Sequence, residues 1–250
     1  MYLSNSDYLK VFNLSGAKKT SYQFDYYDHG YVVQLNNNNI PIVRNGKIYA
    51  PYMKDDANTY KSARFFQQPI QVEIDLQDKQ AHFSKVKYPA SYRLKCYGLN
   101  FAPERLILRK NEQLFLFAYN DTAYVYNEKL ETSTPYFLGS YKKHSFDFID
   151  FKDIKKLNEN VFTEFYYHTQ RYGFTKVAPL SGLILRFQLN QDKKTDKLIE
   201  NIILYDTKLN YIGESEKEFT SYVNVDTEKG LYNLKLNLET KCLEIYRLCW

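Results

Sequence analysis

The segment Ser181-Gly182-Leu183-Ile184-Leu185, followed by Ile203-Leu204-Tyr205-Asp206, contains the two-part pattern that decides the fold. The first part is a turn that leads directly into an apolar run, and the second is a short apolar run that ends in Asp or Asn. Both parts recur at intervals of about 50 to 80 residues, a spacing typical of repeated supersecondary units. The other turns are Asn45-Gly46, Asn111-Glu112 and Lys229-Gly230, and the other apolar runs end at Asn13, Asp75 and Asn127.

Almost all of the chain is predicted to form short strands. Runs rich in Tyr, Phe, Val, Ile and Leu are separated by clusters of Asn, Asp, Gly, Pro and Ser. The 25 Tyr and 17 Phe suit a half-buried pleated sheet, although a surface that stacks on carbohydrates or nucleobases is a second explanation. The best helix candidate is 150–157, where Phe151, Ile154 and Leu157 recur at helical spacing and Asp150 can cap the first turn.

We predict an all-β fold, a β-propeller-like array of about four to five blades of antiparallel strands. Runs such as Leu114-Phe115-Leu116-Phe117 are apolar on both faces, as expected when sheets stack face to face. A β-sandwich, which would show a cleaner apolar–polar alternation, and an open solenoid are the alternatives. The five predicted units are residues 1–28, 29–90, 91–140, 141–214 and 215–250.

The number of units predicts an incomplete ring. A closed propeller more often has about six or seven blades of about 45 residues each. We therefore expect residues 1–250 to form a single, partial propeller domain that lacks one or more N-terminal blades. An incomplete ring would expose strand edges and so permit edge-mediated association with another chain.

Charge and hydropathy argue against two classes of partner. The net charge is +5, and the Lys and Arg residues are scattered rather than grouped into a block of like charges. No apolar run reaches the length that a membrane helix needs, and the first residues have neither the basic nor the apolar region of an export signal. We therefore predict no nucleic-acid partner and no transmembrane segment.

The cysteine and histidine residues do not indicate a disulfide or a metal site. Cys242 and Cys249 belong to one predicted strand, about 23 Å apart and on opposite faces, which excludes a bond between them. We expect free, mostly buried thiols, Cys96 included. The histidines at 29, 82, 144 and 168 are dispersed, and the acidic stretch 55–58 lacks the spacing of a calcium loop. We predict no metal and no cofactor.

Two segments resemble a known family. They are Ile203-Leu204-Tyr205-Asp206-Thr207-Lys208-Leu209 and Gly230-Leu231-Tyr232-Asn233-Leu234-Lys235-Leu236-Asn237, each with the strand that follows it. Both resemble DUF4221, an uncharacterised family of secreted or lipid-anchored bacterial proteins with a fold like a six-bladed propeller. The similarity is clearest over 164–247. It implies a propeller fold, an N-terminal extension with an export or lipoprotein signal, and a location in the cell envelope or periplasm.

The resemblance also directs attention to residues 167–176. Family members typically carry Tyr-Asp, then an Arg and an aromatic-rich strand that ends near Tyr-Arg. In this chain Arg171 fits that pattern, but His168 stands at the position of the acid and Thr175-Lys176 replaces Tyr-Arg. We predict that His168, Arg171 and Tyr172 bind a ligand from a loop between two strands, because scaffold loops often carry function. The alternative is a loop-capping or inter-blade hydrogen-bonding role.

The predicted function is non-enzymatic binding of a ligand or protein in a bacterial cell envelope. The first alternative is a propeller hydrolase or lyase with an active site at the channel mouth, and the second is a structural module that docks another chain by its edge. No GxSxG, P-loop or GxGxxG motif is present, so no catalytic residue is assigned. Buried ionisable groups with shifted pKa values would favour the enzyme, and a wide apolar patch would favour docking.

Overall fold

The fold is described from a computed structural model. It describes residues 2–3, 8–12, 18–23, 31–32, 41–54, 62–78, 81–97, 103–142, 144–154, 158, 160–161, 164–165, 169–192, 197–216, 223–237 and 240–247. Most of these residues lie in strands, and no helix among them is long and apolar enough to cross a membrane.

The described residues contain twenty strands, which are labelled β1 to β20 in chain order. They are β1 (Tyr2–Leu3), β2 (Tyr8–Phe12), β3 (Lys18–Gln23), β4 (Tyr31–Val32), β5 (Ile42–Arg44), β6 (Lys47–Pro51), β7 (Met53–Lys54), β8 (Gln71–Asp75), β9 (Ala81–Phe83), β10 (Glu104–Arg109), β11 (Glu112–Leu116), β12 (Thr122–Asn127), β13 (Thr132–Phe137), β14 (Arg171–Ala178), β15 (Leu183–Asp192), β16 (Lys197–Asp206), β17 (Tyr211–Glu216), β18 (Val223–Thr227), β19 (Gly230–Asn237) and β20 (Cys242–Arg247). The helical elements are a 3₁₀ helix (Phe65–Gln67), α1 (Ala90–Leu94) and α2 (Phe151–Ile154).

The strands form separate antiparallel sheets. Three sheets have four strands, in the orders β5-β6-β8-β9, β10-β11-β12-β13 and β14-β15-β16-β17, while β1-β2-β3 and β18-β19-β20 have three. In these five sheets each strand pairs with the next strand of the sheet, as in a propeller blade. A further pair, β4 and β7, is two-stranded. The predicted fold class, an all-β propeller-like array of about four to five blades, is confirmed.

Contacts divide the chain into two compact units. The first unit comprises residues 1–96 and 150–155, and the second comprises 97–149 and 156–250. The prediction of a single domain over 1–250 stays a prediction. In the first unit the core is aromatic: the Phe66 ring lies 5.1 Å from Tyr88 and 5.5 Å from Tyr92, between their centroids.

In the second unit the core lies between the sheets β10–β13 and β14–β17. Leu114 and Leu116 of the first sheet pack in one cluster with Ile184, Ile203 and Tyr205 of the second. The intervening positions of β15 and β16 are also buried, in a cluster on the opposite face of that sheet. Burial on both faces explains why these strands are continuous apolar runs rather than alternating ones. The members of that opposite cluster are Ala178, Leu183, Leu185, Phe187, Ile202 and Leu204.

The two parts of the sequence repeat lie at the same end of the three four-stranded sheets, where Lys47 pairs with Asp75, Glu112 with Asn127 and Leu183 with Asp206, while Asn13 lies outside the described residues. Gly46, Gly182 and Gly230 have positive φ angles of 74°, 70° and 131°, a conformation that glycine adopts without a Cβ clash. At the end of β16, Asp206 Oδ1 accepts the main-chain N–H groups of Lys208 and Asn210, both at 2.8 Å. The equivalent residues of β8 and β12, Asp75 and Asn127, accept two main-chain N–H groups each. The terminal Asp or Asn therefore shapes the turn to the next strand.

The short helix predicted at 150–157 is confirmed for Phe151–Ile154, and residues 155–157 lie outside the described residues. The aromatic-rich segment 162–168 predicts a strand. This prediction is wrong, because the described residues Glu164 and Phe165 are helical. Asn158 Oδ1 accepts the Val161 N–H at 2.9 Å, as an N-cap does. Asn158, which directly follows the predicted helix 150–157, therefore begins another helical turn.

Neither Cys96 nor Cys242 forms a disulfide bond among the described residues, as predicted. Cys96 is buried, but Cys242 is exposed on the edge strand β20, so the expectation of burial is wrong for that residue. Cys249 lies outside the described residues.

We expect Asp206→Ala to lower the free energy of unfolding by about 1 kcal/mol, because two exposed main-chain N–H groups lose their acceptor. Asp206→Asn keeps an oxygen at the same position and should retain most of the stability. Urea unfolding of both variants measures the difference. Equal losses in the two variants would show that the carboxylate charge, rather than the turn, is responsible.

Candidate functional site

A buried arginine joins the two sheets of the second unit. The side chain of Arg186, on β15, is 0% exposed. Its Nη1 donates to the carbonyl oxygen of Leu138 at 2.6 Å, and its Nη2 donates to those of Phe117 and Asn120 at 2.7 and 2.9 Å. The guanidinium carbon lies 3.5 Å from the centre of the Tyr172 ring, a cation–π contact. A buried charge is costly unless it is hydrogen-bonded, so these contacts fix the ends of β11 and β13 against β15.

Asp121 Oδ1 is shared by two donors from other segments. The Tyr172 hydroxyl donates to it at 2.5 Å, and His144 Nε2 lies 2.8 Å away. His144 Nδ1 lies 2.9 Å from the Lys142 carbonyl oxygen. Because both ring nitrogens face acceptors, this geometry favours the doubly protonated imidazolium form of His144. The Tyr172 oxygen in turn accepts the Ser140 N–H at 3.0 Å.

These contacts shift the pKa values of the group. The hydrogen bond to Asp121 is the main cause that raises the pKa of His144, against the opposing effect of burial. Burial would raise the pKa of Asp121, but the hydrogen bonds from His144 and Tyr172 and the charges of His144 and Arg186 hold it below its ordinary value. Burial also raises the pKa of Tyr172. The network therefore keeps Asp121 ionised and Tyr172 neutral, and His144 keeps its second proton to a higher pH than an ordinary histidine.

The same network fixes the 138–142 segment, which follows β13. The Tyr205 hydroxyl donates to the Gly139 carbonyl oxygen at 2.6 Å, and the Leu138 N–H donates to the Asp121 carbonyl oxygen at 2.7 Å. A Cβ on Gly139 would lie 2.6 Å from the Asp121 Cβ and would also meet the carboxylate. Only glycine allows this close approach.

Three aromatic rings form a group that we call the aromatic rim: Phe137 and Tyr141 are exposed, and Tyr211 is half-buried. Tyr141 is 67% exposed, and its ring centroid lies 5.2 Å from that of Phe137 and 4.4 Å from that of Tyr211. Beside the rim, Lys142 Nζ lies 3.9 Å from Glu214 Oε1, and the Glu214 side chain is only 6% exposed. The rim therefore combines exposed ring surface with a partly buried ion pair.

The structure places the predicted site residues differently from the sequence prediction. Arg171 and Tyr172 are the first residues of β14, paired with Leu189 and Gln188, and do not lie in a loop. The register of β14 shifts between Tyr172 and Thr175, and Gly173 lies in that irregularity. A glycine at a bulge interrupts the pattern of a strand. For this reason the sequence predicted a loop, rather than a strand, at Arg171 and Tyr172.

Arg171 and Tyr172 are 5% and 1% exposed, and His168 lies outside the described residues. Tyr172 is brought together with Asp121, whereas Arg171 Nη1 donates to the Thr169 carbonyl oxygen at 3.3 Å. The ligand-binding role of the three residues stays a prediction.

Sequence analysis missed Asp121, His144 and Arg186. One local signal for them exists: Arg186 interrupts the apolar run of β15, where a charged residue is rarely buried without partners. Among the described residues, no group of three or more His, Cys, Asp or Glu side chains could hold a metal ion.

The fold belongs to the propeller-like class of all-β proteins. No protein-family model and no curated protein matches the chain. Among solved structures, a member of the DUF4221 family from Bacteroides vulgatus is similar, with a TM-score of 0.70 and 13% sequence identity, over 97% of this chain and 74% of that one. The resemblance to DUF4221 stated from the sequence is thereby confirmed at the level of the fold.

A second structure is more distant. It is a proposed 6-phosphogluconolactonase from Bacteroides fragilis, with a TM-score of 0.40 and 11% identity, over 95% of this chain and 59% of that one. A similarity of this strength does not indicate a common activity.

We expect Gly139→Ala to destabilise the protein by about 1–3 kcal/mol, because the added methyl group pushes Asp121 away from its partners. Gly213→Ala is the matched control, since a Cβ there would meet nothing within 4 Å. Thermal and urea unfolding measure both variants. A Gly139→Ala protein as stable as the control would contradict the tight approach of the two segments.

The ion pair also predicts how stability depends on pH. Because the pKa of His144 is raised, its stabilising effect is complete below the ordinary value of 6.5 and is lost as the pH rises through the raised value. Because the pKa of Asp121 is lowered, its effect is present above 3.8 and is lost as the pH falls through the lowered value. We expect the pair to contribute most between these two pH values.

Urea unfolding across that range and into the mildly alkaline range tests this expectation, with His144→Gln as the comparison. Glutamine can still donate a hydrogen bond to Asp121 but does not titrate. The wild-type protein should lose more stability than the variant above the ordinary pKa of histidine. Parallel pH profiles would exclude His144 as a source of the dependence.

Proposed function

We propose that this protein is a non-enzymatic binding scaffold and that its ligand contacts the aromatic rim. The observation that carries the proposal is the position of Tyr141, which is exposed but held between the rings of Phe137 and Tyr211. Aromatic side chains supply a large contact area at a small cost in conformational entropy. A ring held in place before binding therefore suits recognition.

The main chain around Tyr141 supports this proposal, because hydrogen bonds hold it on both sides. The Gly139 carbonyl oxygen accepts a hydrogen bond from the Tyr205 hydroxyl group. The Ser140 N–H donates one to the Tyr172 hydroxyl oxygen. On the other side the Lys142 N–H donates to Ser140 Oγ at 3.0 Å, and the Lys142 carbonyl oxygen accepts from His144. Since the segment is already ordered, a ligand does not have to supply the free energy of ordering it.

The buried network meets one expectation for an enzyme, because its ionisable groups have shifted pKa values. The directions of those shifts favour a structural role instead. General acid–base catalysis needs a group that titrates near the working pH. Asp121 is a weaker base than usual and Tyr172 a weaker acid, while both ring nitrogens of His144 face acceptors of the protein itself rather than a ligand. The network is better suited to positioning the 138–142 segment than to moving protons.

One observation favours association by a strand edge as a second function. In the described part of the chain β20 pairs only with β19, and its residues Leu243 and Ile245 are 58% and 63% exposed. Exposed apolar residues on an edge strand favour pairing with another chain. The location in the cell envelope follows from the family resemblance and is part of the same proposal.

We expect Tyr141→Ala to abolish ligand binding and to change the free energy of unfolding by less than about 1 kcal/mol, because the side chain is mostly exposed. Saturation-transfer NMR with a mixture of neutral saccharides, nucleosides and amino-acid amides provides the measurement. Leu130→Ala is the matched control, since Leu130 is 69% exposed and lies in the turn between β12 and β13. The wild-type and control proteins should bind at least one compound. If no compound binds, or if Tyr141→Ala still binds, the rim is not the site.

A further inference from the structure

The rings of the aromatic rim form a stepped surface rather than a flat one. The plane of Tyr141 is inclined by 74° to that of Phe137 and by 57° to that of Tyr211. A nucleobase stacks best on a ring parallel to itself or between two parallel rings. The inclined rings of the rim provide no such pair of parallel faces, whereas the CH groups of a puckered, non-planar ring can pack on a single ring.

The described charged side chains nearest the rim form two ion pairs. Lys142 lies close to Glu214, and His144 is paired with Asp121, so two positive and two negative groups stand near one another. Recognition of an anion or a cation relies on an excess of the opposite charge at the site. No such excess exists among these four groups, which favours an uncharged ligand.

The rim also offers hydrogen-bonding groups at its border. The hydroxyl groups of Tyr141 and Tyr211 can donate and accept hydrogen bonds, and Lys142, whose side chain is 46% exposed, can donate them. Burial and the neighbouring charge of Glu214 raise the pKa of Tyr211, so its hydroxyl stays protonated. Sites of this kind fix the orientation of a ligand with a few polar groups around an apolar surface.

We propose that the aromatic rim binds a neutral saccharide, whose CH face packs on Tyr141 and whose hydroxyl groups bond to Lys142 and to the Tyr141 and Tyr211 hydroxyl groups. This inference rests on the proposed function and specifies its ligand. Ring shape, charge balance and hydrogen-bonding groups each support it: a pyranose is puckered, uncharged and polyhydroxylated. A nucleoside is uncharged, but its base is planar. An acidic oligosaccharide is puckered and polyhydroxylated, but it is charged.

Titration of the full chain with neutral oligosaccharides of glucose, galactose and N-acetylglucosamine, followed by NMR, tests the inference. Galacturonate oligosaccharides, nucleosides and tyrosinamide serve as the competing classes. We expect a neutral oligosaccharide to bind the wild-type protein and Leu130→Ala with the same Kd and to show no detectable binding to Tyr141→Ala. Tyr211→Phe, which keeps the ring and removes the hydroxyl, should raise the Kd several-fold without loss of folding.

Salt provides an independent readout, because the binding of a neutral ligand does not depend on long-range charge. We expect the Kd to change less than about twofold when sodium chloride is raised from about 0.05 to 0.5 M. A strong salt dependence, or a preference for galacturonate, would overturn the claim of a neutral ligand. Binding of a nucleoside or tyrosinamide alone, if Tyr141→Ala removes it, would overturn the saccharide but leave the binding site in place. The absence of any binding would overturn both proposals.

Discussion

The guanidinium group of Arg186 imposes the constraint on which the rest of the second unit depends. A buried positive charge has to be surrounded by acceptors, and here the acceptors are main-chain carbonyl groups from the turn after β11 and from Leu138. Because Asp121 follows one of these acceptors directly in sequence, the position of Arg186 also sets that of Asp121. Asp121 in turn holds Tyr172 and His144. A single side chain on β15 thus organises the ends of two strands in the neighbouring sheet.

The sheets could be predicted from the sequence because their signals are local. The turn Asn45-Gly46 and the contiguous apolar residues after it predict a strand at 47–51, and β6 has these bounds. β8, β12 and β16 end at or next to the Asp or Asn that shapes the following turn. The three-residue strands β5 and β9 were not predicted, because short edge strands bury too few residues to leave a pattern. The helical turn near Glu164 was predicted as a strand, since its aromatic residues suit either structure.

The buried network could not be predicted, because its members are distant in sequence. His144 is 23 residues from Asp121, and Tyr172 is 51 residues from it. Only the packing of one sheet against the next brings these residues together, and no local spacing records that contact. Two residues indicate buried contacts from their position alone. Arg186 lies within an apolar strand, and Gly139 follows β13, where the approach of Asp121 leaves no room for a Cβ. Each indicates a buried contact without naming the partner.

The link between the buried network and the aromatic rim is geometric rather than chemical. Tyr141 follows Gly139 by two residues and precedes His144 by three, and both of those residues are held by hydrogen bonds. An exposed aromatic ring on a free loop would fold back onto the nearest apolar surface to leave water. Here the main chain is fixed on both sides, so the ring stays against Phe137 and Tyr211 with most of its surface exposed. The buried charged groups, Asp121, His144 and Arg186, can therefore contribute to binding through the position of Tyr141 alone. They need neither contact a ligand nor exchange a proton.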